Sequence, residues 1–580
     1  MCTATAAGAL TPRAARPAAR RPNVVLVLTD DQGYGDLSCH GNPHLRTPNI
    51  DALAKQSVEF SRFYVSPVCA PTRSSLLTGR YNLRCGVYGV TTGFETMRTE
   101  EVTLAEALRG AGYRTALFGK WHLGEHYPYV PHAQGFDEFV GFRTGHWLNY
   151  FDPPLERNGQ PIRGRGFITD FFTDQASAFM ERNRERPFFL YLACNAPHSP
   201  CQVPDRYYER FRNNKELSPE TAVVYGMVEN LDENVGRLLR RADQLGLARD
   251  TIFIFLTDNG PNGQRFNAGL RGAKGAVYEG GVRVPFFIRW PGHFEAGRRV
   301  DTIAAHIDMY PTLLDLCGVP RPDGPPIDGM SLRPILEGSR QDWPDRMLFT
   351  HRETAAKPSA VYPGAARTQR FNLVNGAELY EIPTDPGERT NVAGKYPEKV
   401  KEMRAAYETW YAQAARECGF TRKPIPVGYA EENPVVLPAP QSYLSGELRF
   451  HNQNGYAHDW IDGWSRIEDA VYWEIEVVRP GTYEVSLAYA CAAADLGASI
   501  AVSASGAELT AKIETATPMD FLPNDNRLDN THYIDLAWDN LRLGRARLPK
   551  GRTRLNVRAV NRPGRTVMQL KSVSLRHVQP

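Results

Sequence analysis

Cys69 stands two residues before Pro71 and four before Arg73, and the run continues Ser74-Ser75-Leu76-Leu77-Thr78-Gly79-Arg80. A cysteine acting as a thiolate needs a base beside it, and no histidine stands in this run. Pro71 favours the entry to a helix, where its missing N–H would be unpaired anyway. Ser74 to Arg80 then reads as the first turns of that helix. Residue 69 sits at its positive end, where backbone N–H groups favour a developing anion. Arg73 can hold such an anion through charge-assisted hydrogen bonds. A lone cysteine before a helix is most often a buried structural thiol; the arginine and the pattern after it point to anion chemistry instead.

Two further segments share one design. Val24-Val25-Leu26-Val27-Leu28-Thr29 runs into Asp30-Asp31, and Ile252-Phe253-Ile254-Phe255-Leu256-Thr257 runs into Asp258-Asn259-Gly260. Each is a short apolar run, the pattern of a parallel strand covered on both faces. Ligands of open α/β sheets bind beyond the carboxyl ends of such strands. If the two strands are neighbours, Asp30, Asp31, Asp258 and Asn259 converge there as an all-oxygen set. That set suits a hard divalent cation rather than zinc. Aspartates also cap turns without any ligand; one pair alone would favour that reading, and two matched pairs favour the cation.

The run Cys69-Ala-Pro-Thr-Arg73 with Leu77-Thr78-Gly79-Arg80 resembles the signature of the type I sulfatases, with Thr72 where serine is commoner. The resemblance extends over roughly residues 22–415. It implies that a formylglycine-generating enzyme oxidises Cys69 to an aldehyde, formylglycine, whose hydrate attacks sulfur. It implies that Asp30, Asp31, Asp258 and Asn259, together with residue 69, hold one Ca²⁺ ion. It also supplies Lys120, His122, His198 and Lys274 as sulfate-site residues. Lys120 and His122 follow the strand-like Thr115–Phe118, and His198 follows the apolar Phe188–Leu192. Lys274 lies in the glycine-bearing loop Gly272–Gly275, where backbone can approach a ligand closely.

Carried onto these positions, the family mechanism has one hydroxyl of hydrated residue 69 attack sulfur. Ca²⁺, Arg73, Lys120 and Lys274 stabilise charge on the sulfuryl oxygens. His198 protonates the leaving oxygen, and His122 takes the proton of the remaining hydroxyl as sulfate departs; the two histidine roles can be exchanged. Arg271 and Arg283 are supporting candidates beside Lys274, and His146 and Asn149 are candidates for the pocket lining. Cys194 and Cys201 flank His198 at a spacing that permits a disulfide without establishing one.

The elements that must position these residues follow from the rest of the chain. Its 580 residues exceed one ordinary core. Composition is globular, 42% hydrophobic and 23% charged, and a net charge of +3 gives no basic field for nucleic acid. The longest apolar run near the start, Val24–Leu28, is far too short to span a membrane. Nine cysteines without a CxxC pair imply neither a disulfide framework nor a zinc ribbon.

Residues 1–22, rich in Ala, Arg and Pro, are expected to be disordered. They carry no apolar stretch of secretory-signal length. That start favours the cytoplasm, while the resemblance favours the periplasm or exterior, so the compartment stays open. Residues 23–420 read as alternating strands and helices. They include a Thr103–Glu106 capping box and an amphipathic helix through Val224, Met227, Val228, Leu231, Val235 and Leu238. The alternation implies a mostly parallel sheet covered by helices, and the resemblance implies that it forms an alkaline-phosphatase-like α/β/α sandwich closed by a small antiparallel subdomain near 325–420. A proline-rich linker is expected at 421–440 and an all-β sandwich at 441–580.

Trp460, Trp464 and Trp473 in that sandwich could stack on sugars, although aromatics of a small sandwich are more often core. No site candidate falls within it, so a chain ending near residue 425 is expected to keep turnover on a small aryl sulfate. The expected substrate is a small or oligosaccharide sulfate ester, with glycan contact through the sandwich. The other readings are a phosphomonoester or phosphonate hydrolase on the same fold, and a non-catalytic sulfated-glycan binder.

Overall fold

The computed structural model describes residues 21–338, 343–353, 359–528 and 532–578. Most of the N-terminal segment expected to be disordered lies outside the described residues. Pro22 is described, and its carbonyl accepts a hydrogen bond from the Tyr113 hydroxyl at 2.9 Å.

The centre is a ten-stranded sheet. Its middle strands run parallel, in the order Thr251–Thr257, Asn23–Thr29, Phe188–Ala193, Arg114–Lys120 and Glu138–Phe142. Antiparallel neighbours flank this block, Phe286–Arg289 on one side and Pro154–Arg157 on the other. The continuous apolar runs are explained by burial on both faces. Val24, Leu26 and Leu28 enter one apolar core, and Val25 and Val27 enter another on the opposite face. Helix Pro219–Gln244 packs its buried stripe, Val224, Met227, Val228, Leu231, Val235 and Leu238, into the second core. The Thr103 capping box opens helix Leu104–Gly110.

A smaller antiparallel sheet follows, built from Leu348–His351, Gly364–Arg367, Phe371–Val374 and Glu378–Glu381, and helix Pro397–Cys418 packs against it. Beyond it, two six-stranded sheets enclose a separate apolar core. Strand Ala470–Val477 alternates half-buried and buried residues, as a strand with one core-facing side should. The proline-rich 421–440 segment is more than a connector. Ile425–Val427 pairs with Ile475–Val477, and Val435–Pro438 pairs with Ser572–Leu575. Between those strands, Glu432 accepts from the Tyr127 N–H at 2.6 Å and from Arg143 at 3.1 Å. Trp460, Trp464 and Trp473 are fully buried, which removes them as sugar-stacking surfaces.

Candidate active site

Thr29 lies opposite Thr257 in the parallel pair, so the chain leaves both strands at one level and delivers Asp30-Asp31 beside Asp258-Asn259. The Asp31 N–H donates to Asp258 Oδ1 at 3.2 Å, and the Asn259 amide donates to Asp31 Oδ1 at 2.8 Å. The neighbouring strands supply the other groups. Lys120 Nζ lies 2.5 Å from Asp30 Oδ2, and His198 Nε2 lies 3.6 Å from Asp31 Oδ2. Lys274 reaches in from its loop, 2.6 Å from Asp31 Oδ1.

The cysteine-bearing helix spans Cys69–Thr78, so it starts at Cys69 itself rather than near Ser74, and Gly79 ends it at φ +71°. Val68 gives it no side-chain cap. The helix lies entirely within the protein, and Thr72 and Arg73 lock it to the strand ends. Thr72 Oγ1 donates to the Asp258 carbonyl at 2.6 Å. Arg73 Nη2 bonds Asp258 Oδ2 at 2.8 Å and Asp30 Oδ2 at 3.3 Å.

Buried carboxylates Asp30, Asp31 and Asp258 thus meet buried or half-buried Arg73, Lys120 and Lys274. Burial alone would raise the Asp30 carboxyl, but Lys120, His198, Arg73 and Lys274 hold it well below the usual range. Burial and the Asp30 charge push Asp258 up, against the pull of Arg73. A cation would relieve that repulsion. The donor chemistry fits one: Asp30 Oδ1 and Asn259 Oδ1 are buried and have no hydrogen-bond partner among the described residues. Ligand atoms of Asp30, Asp31 and His198 all lie within 4.8 Å of one another. Oxygen donors of this kind suit a hard cation; the imidazole nitrogen suits it less.

Burial pushes the Cys69 thiol up, although Lys120 and Lys274 oppose it. A thiol held neutral is a poor nucleophile. His122 Nε2 lies 2.8 Å from the Val90 carbonyl, which assigns the proton to that nitrogen. Its Nδ1 is buried without a partner among the described residues. Burial and the Lys120 charge hold the ring well below its ordinary pKa, so Nδ1 is a free base. The His198 Nδ1 lies 2.7 Å from the Ser199 carbonyl, which leaves Nε2 facing the carboxylates. Asp31 and His122 both sit in the left-handed region, at φ +64° and +61°. Such strain persists where surroundings over-determine the conformation.

The supporting candidates divide. His146 is buried with its ring 6.3 Å from that of His198. Arg283 donates to the Ser61 carbonyl and faces Glu279, away from the carboxylate cluster. Arg271 binds the Tyr380 hydroxyl near the surface, and Asn149 is exposed. Cys194 and Cys201 are both free thiols, so the disulfide does not form.

Sequence reasoning missed three residues. Tyr533 and His458, from the C-terminal sandwich, stand 5.0 and 5.4 Å from the His146 ring, centroid to centroid. Arg352 follows the first strand of the small sheet, with Cζ 3.9 Å from the position a Cβ would take on Gly275. None carries a motif, because each meets the site through long-range folding.

Comparison with known proteins gives this arrangement its family. The Sulfatase family matches residues 22–319, and N-sulphoglucosamine sulphohydrolase, C-terminal, matches residues 273–412. Arylsulfatase A of Homo sapiens is 34% identical over 461 residues, 67% of this chain and 87% of that protein. N-acetylgalactosamine-6-sulfatase of Mus musculus is 32% identical over 413 residues, 64% of this chain and 76% of that protein. The solved structure of Ps i-CgsB in complex with k-i-k-neocarrahexaose aligns with a TM-score of 0.64 at 30% identity, covering 70% of this chain and 95% of that one. The chain belongs to the sulfatase family, within the alkaline-phosphatase superfamily, and is a sulfatase enzyme. Both family matches end by residue 412, ahead of the sandwich.

Proposed function

We propose that this protein hydrolyses a sulfate ester of a sulfated carbohydrate, using formylglycine made from Cys69 and one Ca²⁺ ion. The observation that carries the reading is the meeting of Asp30-Asp31, Asp258-Asn259 and the start of the Cys69 helix at one strand-end crevice. Asp30, Asp31, Asp258 and Asn259 would hold the ion. When bound, Ca²⁺ supplies charge that polarises the sulfate oxygens and the attacking hydroxyl.

Residue 69, as the hydrated aldehyde, presents an oxygen nucleophile where a neutral buried thiol would be inert. One hydroxyl releases its proton to solvent, its oxygen attacks sulfur, and the ester S–O bond breaks. Lys120 and Lys274 hold the sulfuryl oxygens, and Arg73 keeps the carboxylates in register. His198, with Nε2 turned to the cluster, takes up a proton there and delivers it to the leaving oxygen. His122 Nδ1 accepts the proton of the second hydroxyl, the bond from residue 69 to sulfate breaks, and the aldehyde returns. A carbohydrate substrate is supported by the relatives: one is named for N-acetylgalactosamine 6-sulfate, and another was solved with a neocarrahexaose.

The test compares turnover of an aryl sulfate with that of the matched aryl phosphate. Preference for the sulfate is expected. Preference for the phosphate would shift the reading to the phosphomonoester or phosphonate hydrolases that share the fold.

A further inference from the structure

Two segments of the C-terminal sandwich, 451–460 and the described residues 521–528 and 532–538, reach residues beside the catalytic cluster. Their union is built. Lys571 Nζ donates to the His458 carbonyl at 2.5 Å and to Asp535 Oδ1 at 3.0 Å, between the rings of Trp460 and Trp538. The Trp538 indole N–H donates to the same Asp535 oxygen at 2.7 Å. One half-buried ammonium therefore holds both segments.

The paired loops then dock. Gln202 donates to Asn526 Oδ1 at 2.8 Å, and the Arg527 N–H donates to the Cys201 carbonyl at 2.8 Å. These contacts grip the chain just after His198. His458 Nε2 lies 3.1 Å from the His146 carbonyl, and its ring meets Trp147 edge-on at 4.9 Å. Tyr533 meets the His146 ring edge-on, and His146 is parallel to His198. A row of flat rings, His146, Tyr533, His458 and Trp147, thus continues from His198 into the sandwich contact. Tyr533 thus stands one ring removed from His198.

Arg352 stands on the Lys274 side. Its guanidinium has no carboxylate partner among the described residues. Burial lowers its pKa, and Cys69, the sandwich residue Tyr456 and the adjoining Glu353 counter this. Tyr456 is 43% exposed, which leaves its ring open at the mouth. A half-buried guanidinium that forms no ion pair among the described residues has donors left for an anion. Lys120 and Lys274 already face the scissile sulfate, so the anion Arg352 takes is a second one.

Resting on the sulfatase reading, we propose that the sandwich and Arg352 together build a leaving-group subsite for a sugar ring bearing a further anionic substituent. Tyr533 and His458 give the ring a flat wall with hydrogen-bonding edges, as pyranose faces and hydroxyls require. Arg352 gives the second sulfate or carboxylate its partner.

The experiment uses the full chain and its Arg352→Gln, Tyr533→Ala and Tyr533→Phe variants. The probes are 4-methylumbelliferyl sulfate and a panel of mono- and disulfated hexosamines. Inorganic sulfate as a competitive inhibitor reads the sulfate cradle alone. Arg352→Gln should raise KM for the preferred disulfated sugar about tenfold, one charge-assisted hydrogen bond's worth. Its monosulfated counterpart, the aryl sulfate and the inhibition constant of inorganic sulfate should stay within about threefold. Tyr533→Ala should raise KM for sugars of both kinds and spare the aryl sulfate, with Tyr533→Phe between. Equal losses on every substrate and on inorganic sulfate would overturn the subsite.

Calorimetric binding of the same sugars to the Cys69→Ala chain, with and without Arg352→Gln, separates the two readings. Turnover absent from the unsubstituted chain, with binding that Arg352→Gln weakens, overturns the hydrolysis and supports the subsite. Turnover present, with binding and KM indifferent to both residues, does the reverse. Neither turnover nor binding overturns both.

Discussion

Arg73 Nη2 lies 2.8 Å from Asp258 Oδ2, and both side chains are fully buried. The pair ties the helix that begins at Cys69 to the strand end that would hold the cation. One arginine thus fixes the nucleophile's position relative to the metal ligands. Removing it leaves Asp30 and Asp258 facing each other. Arg73→Met should cost about 3–5 kcal/mol in chelator-treated protein, the range for breaking a buried ion pair. Ca²⁺ should recover part of that stability and little of the turnover. Thermal unfolding with and without the ion checks both statements.

Metal removal should act on stability as well as rate. Exhaustive chelation should abolish turnover and lower the melting temperature, and Ca²⁺ at a hundredfold excess over Kd should return about 3 kcal/mol. Asp258→Ala should lose most activity and most of that response. Unchanged turnover in protein shown by metal analysis to be ion-free would make the carboxylate cluster structural.

His122 depends on a glycine. A Cβ on Gly145 would come within 2.6 Å of His122 Nε2, the nitrogen bonded to Val90. Gly145→Val should displace the ring and lower kcat about tenfold or more. KM should change little, because Lys120 and Lys274 still hold the sulfate. A loss confined to KM would place His122 in binding rather than proton transfer.

The sandwich contact should weaken in acid. Burial and the Lys571 charge lower His458 to about 4, with Asp535 and a hydrogen bond to the His146 backbone opposing them. The neighbouring His146 is lowered as well. The unfolded chain therefore binds these protons first, and stability is full above about pH 6.5 and falls as pH drops toward 4. His458→Gln should flatten the melting temperature between pH 7 and pH 5 relative to the parent. An unchanged slope would mean that other groups carry it.

Much of the site is legible in the sequence because it lies at strand ends. An apolar run covered on both faces must stop where the chain turns into the crevice beyond the sheet. The oxygens of Asp30-Asp31 and Asp258-Asn259 mark those stops and meet because their strands are parallel neighbours. The Cys69 helix is less legible at its start. Its first turn has no capping side chain and rests on tertiary burial, so Pro71 points to an entry slightly too late.

The sandwich's part is not legible. Tyr533 lies hundreds of positions from His198, and no periodicity records a contact made by two loops tied through Lys571. Trp460 is buried with the Lys571 ammonium over its ring. A chain ending near residue 425 is still expected to keep turnover on a small aryl sulfate, because the sulfate-site residues lie before it. Such a cut falls at the sandwich strand Ile425–Val427 and removes Tyr533 and His458 together. That truncation should lose stability and sugar turnover together, read by melting temperature and KM.

The central claim is that residue 69 acts as an aldehyde hydrate. The measurement that meets it directly is the mass of the tryptic peptide containing residue 69, from protein made in its native host, alongside aryl sulfate turnover. Formylglycine at that position is predicted, with turnover proportional to the converted fraction and none in Cys69→Ala. An intact thiol throughout a fully active preparation would contradict the account.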